Sequence, residues 1–438
     1  MIIDVLHKVN NKEAKNAGWL IGGRVAQMFL SLVVGILSAR YLGPSNYGLI
    51  GYGTAFVAFF TAFCTLGINA VIIKDFVDNP DDQGLAIGST LMLRGISSIC
   101  SALMIIGISF YLDYSEPLTI AVVALCSISL FFQISDTFNY WFQYRYQSKV
   151  TAIATFVALF ITSAYKILLL VLHKDVRWFA FASSVDYIVL GIMLAWAYYR
   201  HGGPQLSTSW SKAKYLLSKS YHYILSGLMV AIYGQTDRLM LKQMLDESSV
   251  GYYSIAISVS SMWVFVLAAI IDSIYPTIMR LHRDNYVAYE KKNCLLYSIV
   301  FYLSMFASIF ITLFADFAIQ LLYGSAFMPA ASVLKIVTWY TAFSYLGVAR
   351  NAWIVCENNQ KYLKYMYFGA VILNIAMNYA MIPIWGASGA ALASLITQIS
   401  TSMLLPCLFK PMRKNTWLML KGMNPVFAVK MIKGKKLT

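Results

Sequence analysis

Apolar runs about 20 residues long, separated by short polar breaks, recur along almost the whole chain, and an α-helix of that length crosses a bilayer. The runs predict about twelve spans. They lie over 18–40, 47–73, 85–112, 118–142, 151–172, 178–199, 221–243, 250–279, 294–323, 331–353, 362–384 and 388–409. The breaks alternate in character. One set is rich in cations: Lys8, Lys12 and Lys15; Lys74; Arg145 and Lys149; Arg200, Lys212, Lys214 and Lys219; Arg280, Arg283, Lys291 and Lys292; Lys361 and Lys364; and the tail from Lys410 to Lys436. The other set holds only Lys174 and Arg177. Cytoplasmic loops carry the excess of Lys and Arg, so both termini are expected in the cytoplasm. The outside loops are short and leave no room for a catalytic domain.

One polar break recurs. "ARYLGPSNYGLIGY" starts at Ala39 and "KQMLDESSVGYYSI" at Lys242; a shift of 203 residues superposes Leu42, Ser45 and Gly48 on Leu245, Ser248 and Gly251. Each copy joins two spans, with a Ser placed to cap the free N–H groups of the second. The copies join spans one and two, and seven and eight. An even number of spans per half gives a parallel repeat about an axis along the membrane normal. The expected fold is therefore an all-α integral membrane protein of two six-helix bundles. Its parts are an N-terminal segment 1–17, a first bundle 18–200, a linker 201–220, a second bundle 221–410 and a basic tail 411–438. The tail mixes Lys with Trp417, Leu418, Leu420 and Phe427 and suits either an anionic leaflet or a solvated topology signal.

Composition agrees: 59% of the 438 residues are hydrophobic and 12% charged, about half the charged share of a soluble protein. The net charge of +15 lies in loops, with no basic segment patterned for nucleic acid. Cys64, Cys100, Cys126, Cys294, Cys356 and Cys407 form no C-x-x-C pair, so inert thiols are expected rather than a metal centre or disulfides. The N-terminus lacks the core of a cleavable signal. No phosphate-binding Gly-rich loop occurs. No cofactor is expected, and energy would come from a proton or sodium gradient, from the cargo gradient or from later steps.

Charge inside a bilayer costs about 2.5–3.5 kcal/mol per residue on insertion scales, yet ten charged residues interrupt the spans. They are Arg24, Arg94, Asp136, Lys166, Asp186, Asp237, Arg238, Asp272, Lys335 and Arg350. Lys335, Arg350 and Asp272 are near enough to span ends to snorkel. Arg94 lies roughly 14 Å into span three at 1.5 Å per residue. Polar residues also line single helix faces at spacings of three or four. Span one gives Arg24, Gln27, Ser31, Gly35 and Ser38; span three gives Thr90, Arg94, Ser97 and Ser101. Span four gives Ser129, Gln133, Asp136 and Gln143; span seven gives Gln235, Arg238 and Lys242; span eight gives Ser254, Ser258, Ser261 and Asp272. Small and hydroxyl stripes alone mark close packing, but an Arg in the stripe needs water, an anion or a carboxylate. The expectation is a hydrated, cationic central cavity for an anionic cargo, lined by Arg24, Gln27, Arg94, Lys166, Arg238 and Lys335. Arg binds phosphate bidentately. Asp136, Asp186, Asp237 and Asp272 are then coupling groups or internal partners. Pairing of Arg94 with Asp186 is the alternative to a cavity role.

The stretches "GRVAQMFLSLVVGILSARYLGPSNYGLIGYGTAF", "TDRLMLKQMLDESSVGYYSIAIS" and "WGASGAALASLITQ" resemble the polysaccharide flippases of the O-antigen (Wzx) type. These belong to the multidrug/oligosaccharidyl-lipid/polysaccharide (MOP) exporter superfamily. The resemblance runs the length of the chain. It implies two bundles around a V-shaped cavity that opens to alternate faces. It also implies a sugar repeat unit carried on undecaprenyl pyrophosphate across the bacterial inner membrane, in lipopolysaccharide biosynthesis. Arg24 and Arg94 match the expected cationic lumen, and Asp237 and Arg238 the seventh-span pattern. Lys242 and Gln243 depart from that pattern, standing where members often have Gly. Expected partners are the lipid-linked oligosaccharide, membrane lipids, an O-antigen polymerase and a chain-length regulator. The competing readings are a multidrug exporter of the same superfamily, for which acidic lumen residues should dominate, and a membrane polymerase, which needs a large outside loop.

Overall fold

The computed structural model describes residues 11–426, with side chains from Gln27 onward except those of Ala70 and Ser226. These residues are almost all helical, and no strand occurs among them. In chain order the helices are α1 Asn11–Thr65, α2 Asn69–Asp78, α3 Gln83–Leu112, α4 Pro117–Ser127, α5 Ser129–Gln133, α6 Asp136–Tyr144, α7 Ser148–Val171, α8 Val176–Arg200, α9 Trp210–Met244, α10 Glu247–Ser261, α11 Val264–Asp284, α12 Tyr286–Tyr323, α13 Pro329–Cys356, α14 Leu363–Ile399, α15 Leu405–Leu408 and α16 Arg413–Met423.

Eight helical stretches are long and apolar enough to cross a membrane. Two of them, Gln27–Thr65 and Gln360–Leu408, have 39 and 49 residues, enough for two crossings each at about 20 residues per crossing. Each contains a sharp break at a glycine: Gly43 has φ 72° and ψ 174°, and Gly386 has φ 60° and ψ −138°. Both φ values fall where only glycine is comfortable. Pro44 follows the first break at once, where a proline's missing N–H costs nothing. The second copy of the hairpin turns differently. There Asp246 caps α10 by accepting from the Ser249 N–H at 2.7 Å, so the cap is Asp246 and not Ser248.

The connections at 43, 113–116, 172–175, 245–246, 324–328 and 386 gather at one end of the molecule, here named the hairpin end. Tyr41 donates to the Lys174 carbonyl, Arg40 to the carbonyls of Leu321 and Leu322, and Leu245 packs beside Gly386. The opposite, linker end holds 79–82, 201–209, 285, 357–362 and 409–412. The linker is shorter than the sequence suggests, because α9 begins at Trp210. Its extended part lies in a groove on α3: a Cβ on Gly84 would meet the Gln205 carbonyl at 2.1 Å, and one on Gly88 the Ser207 carbonyl at 2.1 Å. Ser207 N–H donates to the Gly84 carbonyl, and Lys212 pairs with buried Asp75 at 2.8 Å. The strap is thus held against the first half of the chain. In the basic tail, α16 packs on α12, with Ser298 donating to the Gly422 carbonyl and Asn415 to the Tyr297 hydroxyl.

The two halves meet chiefly where α1 packs on α10 and α9. That contact is built from the repeated hairpin itself. A Cβ on Gly48 would sit 1.7 Å from the Glu247 carbonyl, and one on Gly251 would sit 2.3 Å from the Pro44 carbonyl. Adding 203 turns Pro44 into Glu247 and Gly48 into Gly251, so the two approaches are the same contact made in both directions. Repeat-equivalent surfaces meeting each other are what a pseudo-two-fold axis produces. Small residues are required because the helix backbones touch.

Candidate functional site

Three polar assemblies stand out in the apolar framework. The first closes the hairpin end. The Lys242 ammonium, 7% exposed, reaches Glu116 at 2.7 Å, Glu247 at 3.0 Å and Asp113 at 3.9 Å. Next to it Gln243 donates to Asp113 at 2.9 Å and to the Tyr52 hydroxyl at 2.7 Å, and Tyr52 donates to Asp113 at 3.1 Å. Tyr52, Asp113 and Glu116 belong to the first half, and Lys242, Gln243 and Glu247 to the second. The Lys242 hydrogen bond holds the Glu116 carboxyl below its ordinary range. The sequence signals for this cluster are the place of Lys242 on the polar stripe of span seven and the departure from the resembling family at Lys242 and Gln243; Tyr52, Asp113 and Glu116 gave none.

The second assembly surrounds Asp237 on α9, which is 3% exposed. Its Oδ1 accepts from Asn378 at 2.7 Å and Asn374 at 3.2 Å; its Oδ2 accepts from Tyr253 and Ser394. Four donors satisfy one carboxylate, and among the described residues no cationic side chain lies within 4 Å. The Asn378 Oδ1 has no partner. Asn374 and Asn378 are one helical turn apart in an apolar run, a spacing that marks them in the sequence. Asp237, Arg238, Tyr253 and Ser394 also line a cavity of about 280 Å³ within the second half, with Tyr233, Gln235, Ser260, Ser261, Tyr340, Thr341, Ser344 and Tyr345 around it. Arg238 approaches Gln235 at 3.4 Å.

The third assembly fills the first half. Arg94, 2% exposed, sends Nη1 to the Thr137 hydroxyl at 3.1 Å and Nη2 to the Gln133 carbonyl at 3.0 Å. That carbonyl is freed where α5 ends before α6 begins. Asp136, the first residue of α6, is the carboxylate whose charge acts on Arg94, and Asp186 is not. Asp186 accepts from Thr162 at 3.3 Å and is the charge acting on Lys166. Thr90 and Ser101 are buried and Ser97 donates to the Phe63 carbonyl, so the span-three stripe is a packing seam and not a wet wall. Arg350 corrects a second expectation. It does not snorkel: it is 2% exposed and donates to the carbonyls of Thr401 and Ser402, in a π-helical turn over Ser400–Leu404. Lys335 pairs with exposed Asp316 at 2.7 Å.

Towards the linker end α9 stays on the first half, where a Cβ on Gly67 would meet the Tyr223 side chain at 2.7 Å, while α11 leaves it. Beyond Ser261, α11 packs on α12 and α13 of its own half, and its other face is exposed through Ser261, Phe265, Ala269, Asp272, Pro276, Arg280 and Arg283. On α1, Ser31 is exposed, Gln27 half-buried and Ser38 buried. The side chain of Arg24 lies outside the described residues. No group of three or more His, Cys, Asp or Glu residues suited to a metal ion occurs among those described.

The comparisons with known proteins fit this arrangement. In overall fold the chain is similar to an inward-facing multidrug resistance MATE family transporter of the MOP superfamily (TM-score 0.70, 15% identity, covering 90% of this chain and 96% of that one). It is also similar to the lipid II flippase MurJ in an inward closed conformation (TM-score 0.66, 13% identity, covering 95% and 93%). An outward-facing MATE transporter gives a TM-score of 0.61 at 14% identity, covering 91% and 94%. In sequence, the chain is 23% identical over 416 residues to the probable flippase AglR of Haloferax volcanii, covering 90% of this chain and 82% of that protein. The family model described as polysaccharide biosynthesis protein matches residues 14–282, well over half of the chain, which therefore belongs to that family.

Proposed function

We propose that this chain is a flippase that carries a lipid-linked oligosaccharide from the cytoplasmic to the periplasmic leaflet of a bacterial inner membrane, the cargo being an O-antigen repeat unit on undecaprenyl pyrophosphate. The observation that carries the reading is the family match together with the way the two halves join, shut at the hairpin end by the Lys242 cluster. Counting α1 and α14 as two spans each, α4–α6 as one and α10–α11 as one gives twelve, six per half. The cation-poor hairpin end is then periplasmic and both termini cytoplasmic. AglR and MurJ, named as flippases, support the same class of cargo.

The isoprenoid tail stays in lipid while the pyrophosphate and sugars pass between α1, α9 and α11. Arg24, Gln27 and Arg238 are the polar groups for the headgroup; buried Arg94 acts through the shape of the span formed by α4–α6. Asp237 is the coupling carboxylate for a proton or sodium gradient. In this state four donors satisfy it, and release of any of them opens its oxygens and Asn378 Oδ1 to a cation. An O-antigen polymerase and a chain-length regulator would act on the exported product.

A deletion strain tests the reading. Undecaprenyl-linked repeat units should accumulate on the inner leaflet and surface polysaccharide should fall; a strain without that accumulation refutes a flippase. Asp237→Asn should lose transport with the protein still present in the membrane, and transport that stays gradient-dependent in this variant would remove Asp237 from coupling.

A further inference from the structure

We infer that the 280 Å³ cavity of the second half is a carbohydrate subsite that holds one sugar ring of the cargo, a proposal that rests on the lipid-linked oligosaccharide reading. Its lining decides the ligand class. The ionisable groups of ordinary acid or base strength in the wall are Asp237 and Arg238, adjacent and opposite in sign. A pyrophosphate needs more positive charge than one Arg beside a carboxylate supplies. An organic cation needs a free acid, and Asp237 is already met by Asn374, Asn378, Tyr253 and Ser394. A purely apolar chain would strand the hydroxyls of Ser260, Ser261, Thr341 and Ser344 against carbon.

A neutral polyol ring fits all of these groups. Tyr233, Tyr340 and Tyr345 offer flat apolar faces with polar tips, and the Ser, Thr, Gln235 and Arg238 side chains offer donors and acceptors. A pyranose has the same division, with C–H faces above and below and hydroxyls around its edge. The volume lies near the low end for ligand pockets, which suits a single ring and not a whole repeat unit. Gly234 and Ser261 are exposed at the rim, on the elements that face the space between the halves, so a ring can enter from there.

The position also gives the sugar a physical link to Asp237. Tyr253 and Ser394 line the cavity and at the same time donate to the carboxylate. A ring hydroxyl that recruits either of them withdraws a donor from Asp237. Sugar entry and cation uptake are thereby coupled through two shared side chains.

The test uses the full-length protein in nanodiscs and two probes, undecaprenyl-pyrophosphoryl-N-acetylglucosamine and bare undecaprenyl pyrophosphate, with binding read by calorimetry. The glycosylated probe should bind about tenfold tighter, a difference of ~1.4 kcal/mol. Tyr340→Ala, and Ser344→Leu, which fills the cavity, should each erase that difference while leaving the Kd of the bare carrier unchanged. Tyr340→Phe keeps the ring face and should retain most of it. Unchanged preference in the Ala and Leu variants overturns the subsite but leaves the flippase reading standing. A wild type that binds neither probe overturns the reading beneath it. Displacement by ethidium, sensitive to the same two variants, overturns the subsite in favour of a cation pocket.

Discussion

At the scale of single residues, the hairpin end is the part of the molecule most sensitive to one atom. Gly48→Ala puts a methyl group 1.7 Å from the Glu247 carbonyl, a backbone atom that cannot step aside without parting the halves. Transport should fall in this variant and in Gly251→Ala, with amide exchange speeding up over 246–251. Gly107→Ala, which meets open space, is the control and should change neither. The charges beside this contact add a pH dependence. Because Lys242 holds the Glu116 carboxyl below its usual range, that bond favours the closed end at every pH above the ordinary carboxylate value of about 4.3. It weakens as pH falls through the lowered value, when Glu116 binds a proton. Amide protection over 246–251 should therefore fall on acidification at the hairpin end, and Glu116→Gln should abolish that acid step. An acid step of the same size in Glu116→Gln would assign it to another group.

At the scale of elements, two buried arginines do the same job. Arg94 repairs the interruption between α5 and α6, and Arg350 the π-turn at Ser400–Leu404, where Pro406 offers no N–H to the Ser402 carbonyl; in each case a guanidinium donates to a carbonyl left without its backbone partner. Arg94→Ala leaves the Gln133 carbonyl bare, costing about 1–3 kcal/mol. The thermal midpoint in detergent and the amount of protein in the membrane should both drop. Arg94→Lys should recover only part of the loss, since one ammonium does not reproduce the two-armed contact. If Arg94→Ala left the melting point unchanged, the repair role would be wrong. The seam containing Arg94 also shows where sequence reading stops. The spacing of Thr90, Arg94, Ser97 and Ser101 correctly placed them near one helix face, but a face that seals against a neighbour and a face that meets water carry the same pattern. What distinguishes them is the break between α5 and α6, and "SISLFFQISD" from Ser127 to Asp136 contains neither Gly nor Pro to announce it. Gly191 on α8, where a Cβ would meet the Ser135 hydroxyl at 2.9 Å, admits the bent segment from a distance in sequence that no local pattern reaches. The breaks at Gly43 and Gly386, by contrast, were legible because a glycine sits in a short polar turn between two long apolar runs.

At the scale of the whole molecule, the repeat becomes an interface. The hairpins were legible as markers of two similar halves; that they would also touch each other, and carry an ion cluster beside the contact, was not, since equivalence in sequence does not say which equivalent surfaces meet. If the two halves rock about this contact, opening the hairpin end must separate Lys242 from Glu116, now 2.7 Å apart across the interface. Replacing both by Cys, with the exposed Cys100 and Cys407 changed to Ser, places a reactive pair on opposite halves. A short bifunctional thiosulfonate should join them in the closed state and stop the delivery of lipid-linked sugar to the outer leaflet. Reduction should restore it, because the link holds one conformation without removing the groups proposed to bind cargo on α1 and α9. Joining the halves at this point with no loss of transport would mean that the hairpin end never opens, and that the cargo crosses by a path outside the space between them.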